Sequence, residues 1–282
     1  MRASLTDYIK SWSLYALPHH AISRLIYKLT RMESAYVPKA IEKFSKVFKV
    51  DLKQAINPDP ASYKTFNEFF TRPIKSELRP IANTDLVSPV DGRISQIGAI
   101  KQSEIFQAKG HYYTAEALLG GDVVVAEKFV QGWFVTIYLS PRDYHRIHMP
   151  CTGRLIQQIH IPGRLFSVAP HTVRSVSNLF ARNERVVALF DTKYGKMAMV
   201  LVGAINVAAI ETVWDGLITP PKGKKLSSKD YSGQQVTLKK GEEMGRFNMG
   251  STVILLFSKD APQFSKEMLA DLPLIMGQGI SD

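Results

Sequence analysis

A chain of 282 residues, 45% hydrophobic and 22% charged, can bury a sizeable core and has an ordinary globular balance, which excludes extensive disorder and a coiled coil. Its one cysteine, Cys151, excludes an internal disulfide and a cysteine-built zinc site and gives no sign of an oxidising compartment. The formal charge of +11 predicts attraction to polyanions; with no basic stripe interleaved with aromatic residues, no zinc-finger spacing and no RNP-type motif, an anionic lipid surface is a better match than nucleic acid.

Residues 4–31 carry helical spacing. Leu5, Tyr8, Ile9 and Trp12 share one face and, after a break at Pro18, Ile22, Leu25, Ile26 and Leu29 share another, so two amphipathic helices are predicted. Arg24, Lys28 and Arg31 lie on the second, and residues 39–49 add Lys43 and Lys46. That pattern suits an anionic interface, although the same stripes would serve equally to pack the helices on a core. Beyond Pro80 the texture turns to short β-rich runs at 86–100, 123–130, 134–139, 185–189, 198–210 and 252–257, each bounded by turn residues. Residues 219–235, with Pro220, Pro221, Lys222, Lys224 and Lys225, read as a mobile basic loop. The expected fold is α+β: N-terminal amphipathic helices over residues 1–80 capping a predominantly antiparallel β body over 81–282. The longest nearly apolar run, 197–210, contains Gly203 and Asn206 and falls short of the roughly 20 residues that span a bilayer. No transmembrane helix is predicted, and the N-terminus, which lacks the pattern of a secretory signal, is expected to be retained.

Three segments carry candidate chemistry. In Ser88-Pro89-Val90-Asp91-Gly92-Arg93 the Asp-Gly pair suggests a tight turn between strands. Residues 139–150 hold His145 and His148, whose spacing of three would suit a metal pair on a helical turn; no HExxH pattern or third ligand accompanies them, and no metal is expected. In Met249-Gly250-Ser251-Thr252 a small, conformationally free junction runs straight into an apolar strand, so that the Ser251 hydroxyl could approach the Gly250 carbonyl. Together the segments supply an acid, a base and a hydroxyl, the logic of an Asp-His-Ser triad. There is no GxSxG elbow, P-loop or GxGxxG fingerprint.

These motifs resemble the bacterial phosphatidylserine decarboxylases. The likeness extends to residues 66–72 (Phe-Asn-Glu-Phe-Phe-Thr-Arg), 163–168 (Gly-Arg-Leu-Phe-Ser-Val), 179–185 (Leu-Phe-Ala-Arg-Asn-Glu-Arg) and 210–214 (Ile-Glu-Thr-Val-Trp), and so runs over nearly the whole chain. The family's cleavage motif is Leu-Gly-Ser-Thr; Met249 stands where the family has Leu, a change that keeps an apolar side chain of similar volume. The resemblance implies that Asp91 and His148 are the acid and base of self-processing, that Ser251 is the residue converted, and that His145 is a second active-site histidine used in decarboxylation.

The implied chemistry begins with His148 taking the Ser251 proton as the oxygen attacks the Gly250 carbonyl, turning the peptide into an ester. Elimination frees chain 1–250 and leaves a dehydroalanine at 251, which loses ammonia on hydrolysis to become a pyruvoyl cofactor on chain 251–282. That ketone would form a Schiff base with the amine of phosphatidylserine and accept electrons as carbon dioxide leaves, releasing phosphatidylethanolamine. The expected setting is the cytoplasmic side of the cell membrane, bound peripherally to its anionic surface, with the two cleaved chains kept together as a heterodimer. Two other readings stay open on the residues alone: a serine autoprotease or hydrolase that uses Asp91, His148 and Ser251 but keeps its serine, and a noncatalytic anionic-lipid-binding protein.

Overall fold

The computed structural model describes residues 3–108, 111–205, 209–220, 225–249 and 252–282. Helices α1 (Leu5–Ala16), α2 (His19–Thr30) and α3 (Val37–Phe48) lead the chain, with the α1/α2 break at Pro18 as expected. Ser4 and Asp7 close a capping box that starts α1, satisfying N–H groups that the helix itself cannot pair. Short α4 (Phe66–Phe70) follows, capped by the Thr65 side chain.

The body is β-rich, and the α+β expectation is met. Strands β1 (Gly92–Ala99), β2 (Glu104–Ala108) and β3 (His111–Thr114) precede helices α5 (Ala115–Leu118) and α6 (Val123–Glu127). Next come β4 (Trp133–Tyr138), β5 (Arg146–His148), β6 (Gly153–Ile161), helices α7 (Pro170–Ser175) and α8 (Leu179–Arg182), then β7 (Arg185–Thr192) and β8 (Gly195–Val202). The chain closes with β9 (Ile210–Thr212), β10 (Gly216–Thr219), β11 (Ser227–Asp230), β12 (Thr237–Leu238), β13 (Glu243–Phe247), β14 (Thr252–Phe257) and β15 (Pro273–Leu274).

The large sheet runs β11-β6-β7-β8-β14-β4-β1-β15, with β12 also pairing β6, and a smaller sheet runs β10-β9-β13-β5. Strand pairs throughout are antiparallel. All six residues of β14 are buried, because the strand is flanked by β4 and β8 and covered on both faces. A continuous apolar run, Val253 to Phe257, is what such a position selects.

Three sequence expectations change. Residues 123–130 open with Val-Val-Val yet form a helical turn, since the Asp122 carboxylate accepts from Val125 N and a cap outweighs weak β propensity in so short a segment. Residues 198–210 do not make one strand: β8 ends at Val202 and β9 starts at Ile210 in the other sheet. Within the 219–235 loop, β11 pairs the β6 edge, helped by Gln157 donating to the Ser228 hydroxyl; residues 221–224 lie outside the described residues.

Candidate active site

The Gly250–Ser251 junction lies outside the described residues, between β13 and β14. On the downstream side Thr252 stands opposite Tyr138 of β4 and Val202 of β8, in a row continued by Arg93 of β1 and Arg185 of β7. Upstream, β13 runs between β5 and β9 in the smaller sheet. Phe247 N donates to the His145 carbonyl at 3.0 Å and Asn248 N to the Ala209 carbonyl at 2.8 Å. The junction is therefore the crossing from one sheet to the other. Met249 enters it with φ +124°, a backbone conformation that costs a non-glycine residue of the order of 1–3 kcal/mol.

The turn 88–91 feeds β1, so the Asp91-Gly92 pair marks a strand start and not a hairpin between two strands. A Cβ on Gly92 would lie 2.5 Å from the Tyr138 carbonyl oxygen, which explains why glycine follows the acid. The Asp91 carboxylate is buried and takes two bonds from Arg79, Nε at 2.8 Å and Nη2 at 2.5 Å, and one from Met276 N at 2.8 Å. Arg79 is steadied in turn by Gln54 Oε1.

His148 N donates to the Pro89 carbonyl at 2.8 Å, bringing β5 against the Asp91 turn. The two side chains are engaged elsewhere: His148 Nδ1 is 2.8 Å from the Gly241 carbonyl oxygen and Nε2 is 3.1 Å from the Tyr144 hydroxyl. Burial lowers the pKa of His148, opposed by the Gly241 carbonyl, Glu243 and Asp91 and reinforced by Arg146. Register puts His148 opposite Glu243, at the β13 end remote from the junction, whereas His145 faces the end that enters it.

His145 is fully buried and stacked on Phe70, with ring centroids 4.2 Å apart. Its Nε2 donates to the Ser140 carbonyl at 3.1 Å, so Nδ1 is the unprotonated nitrogen, and it has no partner in hydrogen-bonding geometry among the described residues. Burial, with Arg72 nearby, pushes the ring down to about 3 against the pull of the Ser140 and Pro141 carbonyls. The two histidines do not share a helical turn, because residues 146–148 are extended, and their rings bond different carbonyls.

The remaining motifs turn out to be supports. Phe70 backs His145, Thr71 O accepts from Arg146 Nε at 2.9 Å, and buried Arg72 reaches the Arg142 carbonyl. Arg146 also pairs with Glu243 at 2.9 Å, fixing β5 to β13. Asn183 clamps Phe166 through both its backbone N and O, and Phe166, wholly buried, carries the rings of Tyr15 and His19. This loop anchors the N-terminal helices. Glu211 accepts from both Asn248 Nδ2 and Arg31, linking the run-up to the junction with the end of α2. Arg79, Arg72, Arg142, Asp91, Asp143 and Tyr144 line a cleft of about 320 Å3. Sequence reading missed Arg79, Tyr144 and the Gly241 carbonyl; of these only Tyr144, four residues from His148 and inside the same motif, left a signal.

A family model described as phosphatidylserine decarboxylase matches residues 66–281. The chain belongs to the phosphatidylserine decarboxylase family. It is 58% identical over 261 residues to the phosphatidylserine decarboxylase proenzyme of Alkalilimnicola ehrlichii, covering 91% of each chain. It is 52% identical over 280 residues to the proenzyme of the same name from Photobacterium profundum, covering 97% of this chain and 96% of that one, and 51% identical over 278 residues to the one from Vibrio cholerae. As a member of the phosphatidylserine decarboxylase family the chain is an enzyme, a decarboxylase made as a proenzyme, and the resemblance read from its motifs holds.

Proposed function

We propose that the chain converts phosphatidylserine to phosphatidylethanolamine and carbon dioxide after cutting itself between Gly250 and Ser251 and turning Ser251 into a pyruvoyl group. The observation that carries this reading is the crossing itself: a strained Met249, a Gly-Ser pair, and a buried strand starting at Thr252. One polar atom beside it, the Thr252 hydroxyl, can donate to a carbonyl-bearing group. Asn248 Oδ1, Thr252 Oγ1 and His145 Nδ1 are buried without hydrogen-bond partners among the described residues, a condition that ordinarily costs about 1–3 kcal/mol each. Once formed, the group supplies an electrophilic ketone that draws electrons from the carbon losing carbon dioxide.

The chain's own residues manage protons. The motif resemblance, and not the register that puts His148 opposite the far end of β13 from the junction, makes His148, kept neutral by burial, the group that takes the Ser251 proton at Nε2, while the Gly241 carbonyl fixes its tautomer. The Asp91 carboxylate, through space, favours the imidazolium that results. His145, with an unshared Nδ1 lone pair, serves decarboxylation as an accessory group. The exposed Arg142 guanidinium at the cleft beside the Asp91 turn suits the anionic headgroup of the substrate.

Membrane binding is supported by an inverted packing of the first two helices. Asp7 and Ser11 of α1 are buried against α7, paired with Arg174 and Ser175, and His19 and Ser23 of α2 are buried as well. The apolar stripes point outward: Leu5 is 76% exposed, Ile9 65% and Trp12 83%, with Leu25, Leu29 and Tyr36 also exposed. Such a patch, with Arg24 and Lys28 on the same helix as Leu25 and Leu29, is suited to an anionic interface. Among the described residues no helix is long and apolar enough to cross a membrane.

The reading is tested with phosphatidylserine vesicles. Wild-type protein should release carbon dioxide and phosphatidylethanolamine, while Ser251→Ala should stay as one chain and release neither; product from the uncut variant would refute it.

A further inference from the structure

His148 has two ring nitrogens, and both are committed. Nδ1 lies 2.8 Å from the Gly241 carbonyl oxygen, an atom that only accepts, so Nδ1 carries the proton. With the ring neutral, Nε2 holds the single lone pair. The Tyr144 hydroxyl sits 3.1 Å from it. Burial pushes the phenol up to about 12, so Tyr144 keeps its proton and is the donor. Tyr144 is itself buried, and its ring lies against the imidazole with centroids 5.6 Å apart.

We propose that Tyr144 is a positioning residue that holds His148 in reserve in the uncut chain: its hydroxyl occupies the only lone pair the imidazole can offer, and self-cleavage begins when it lets go. The inference rests on the reading of His148 as the base. One lone pair accepts one proton, so a serine hydroxyl and the tyrosine hydroxyl compete for it. Orientation of the ring does not need Tyr144, because the Gly241 bond already sets tautomer and tilt. The grip therefore slows the first proton transfer by the worth of one neutral hydrogen bond, about fivefold, which is about 1 kcal/mol at 1.4 kcal/mol per factor of ten.

The grip also has a pH signature. A donor to Nε2 stabilises the neutral ring, so removing it raises the pKa of His148. Cleavage needs the neutral ring, and its acid limb must then move to higher pH. Among the described residues the charged groups around the pair are Glu243 and Arg246 of β13, Arg146 of β5, Asp91 of the preceding turn and Arg72 after α4; all remain when only the hydroxyl is removed.

Self-cleavage of freshly synthesised chain is followed by intact mass from pH 5.5 to 8 for the wild type, Tyr144→Phe, Tyr144→Leu and His148→Ala. Tyr144→Phe should convert about fivefold faster near pH 7.5, with its acid limb displaced upward. Tyr144→Leu, which packs differently, should share the displaced limb whatever its maximal rate. Conversion of Tyr144→Phe at or below the wild-type rate, or an unmoved limb in both variants, would overturn the proposal. Cleavage of His148→Ala would instead remove His148 as the base and leave the reading beneath the proposal at fault.

Discussion

Asp91 is a buried carboxylate whose charge is met by the Arg79 guanidinium and the Met276 N–H. Removing Arg79 leaves that charge uncompensated, which in buried pairs costs about 3–5 kcal/mol. Arg79→Ala, made in a Ser251→Ala background so that intact chains are compared, should melt on the order of 10 °C lower. Arg79→Ala combined with Asp91→Ala should recover part of that loss in the same thermal scan, and an unchanged midpoint for the single variant would show that the pair is not a buried support. His145 makes a second prediction at this scale. Its folded pKa is held near 3, well below the ordinary 6.5, so between those values the unfolded chain binds a proton that the folded one refuses. Stability from this group is complete above about pH 6.5 and is lost as pH falls toward 3, by several kcal/mol given 1.36 kcal/mol per unit. Urea unfolding at pH 4.5 and pH 7 should show a much smaller pH penalty for His145→Gln than for the parent. The identities of Asp91, His145 and His148 as candidate groups were legible in their motifs. Their partners were not, since Arg79 lies 12 residues from Asp91 in a segment with no motif of its own, and Gly241 acts through a carbonyl that any residue possesses.

At the scale of elements, helical periodicity and Pro18 were sufficient to read α1 and α2, but periodicity does not say which stripe faces inward. The usual default puts apolar residues on the core. Here Asp7 finds Arg174, whose guanidinium holds the carboxyl well below its usual range, and Ser11 finds Ser175, so the polar stripe docks and the apolar one is left outside. Substituting Ile9→Asp together with Trp12→Glu should abolish most co-sedimentation with anionic vesicles while leaving the melting temperature within about 1–2 °C, because both side chains are exposed. A large fall in stability with unchanged vesicle binding would contradict the assignment of that face. The valine run at 123–125 misleads for a related reason: β-branched residues favour strands only where a sheet receives them, and Val123 and Val124 remain at the surface behind an Asp122 cap. The loop of Leu165 and Phe166, known in sequence only as an apolar motif, is buried, with Phe166 beneath Tyr15 and His19, and serves as an anchor for the N-terminal helices.

Across the whole molecule, the candidate cut falls at a place where breaking the chain need not break the fold. Strand β14 lies between β4 and β8 with all six residues buried, and beyond it β15 pairs β1, Gly279 bridges Val87 and the Ser281 hydroxyl accepts from Leu86 N. Exposing the apolar side chains of β14 alone would cost on the order of 10 kcal/mol, so chains 1–250 and 251–282 should co-elute on size exclusion without denaturant and separate only in it. In the proposed reading, the exposed face of α1 and α2 and the +11 charge bring the junction to a lipid surface. The measurement that bears most directly on this account is the intact mass of the purified wild-type protein. Two fragments, one ending at residue 250 and the other starting at 251 with a pyruvoyl group in place of its serine, are the predicted result. A single uncut chain, or a fragment that begins with an unmodified Ser251, would contradict it.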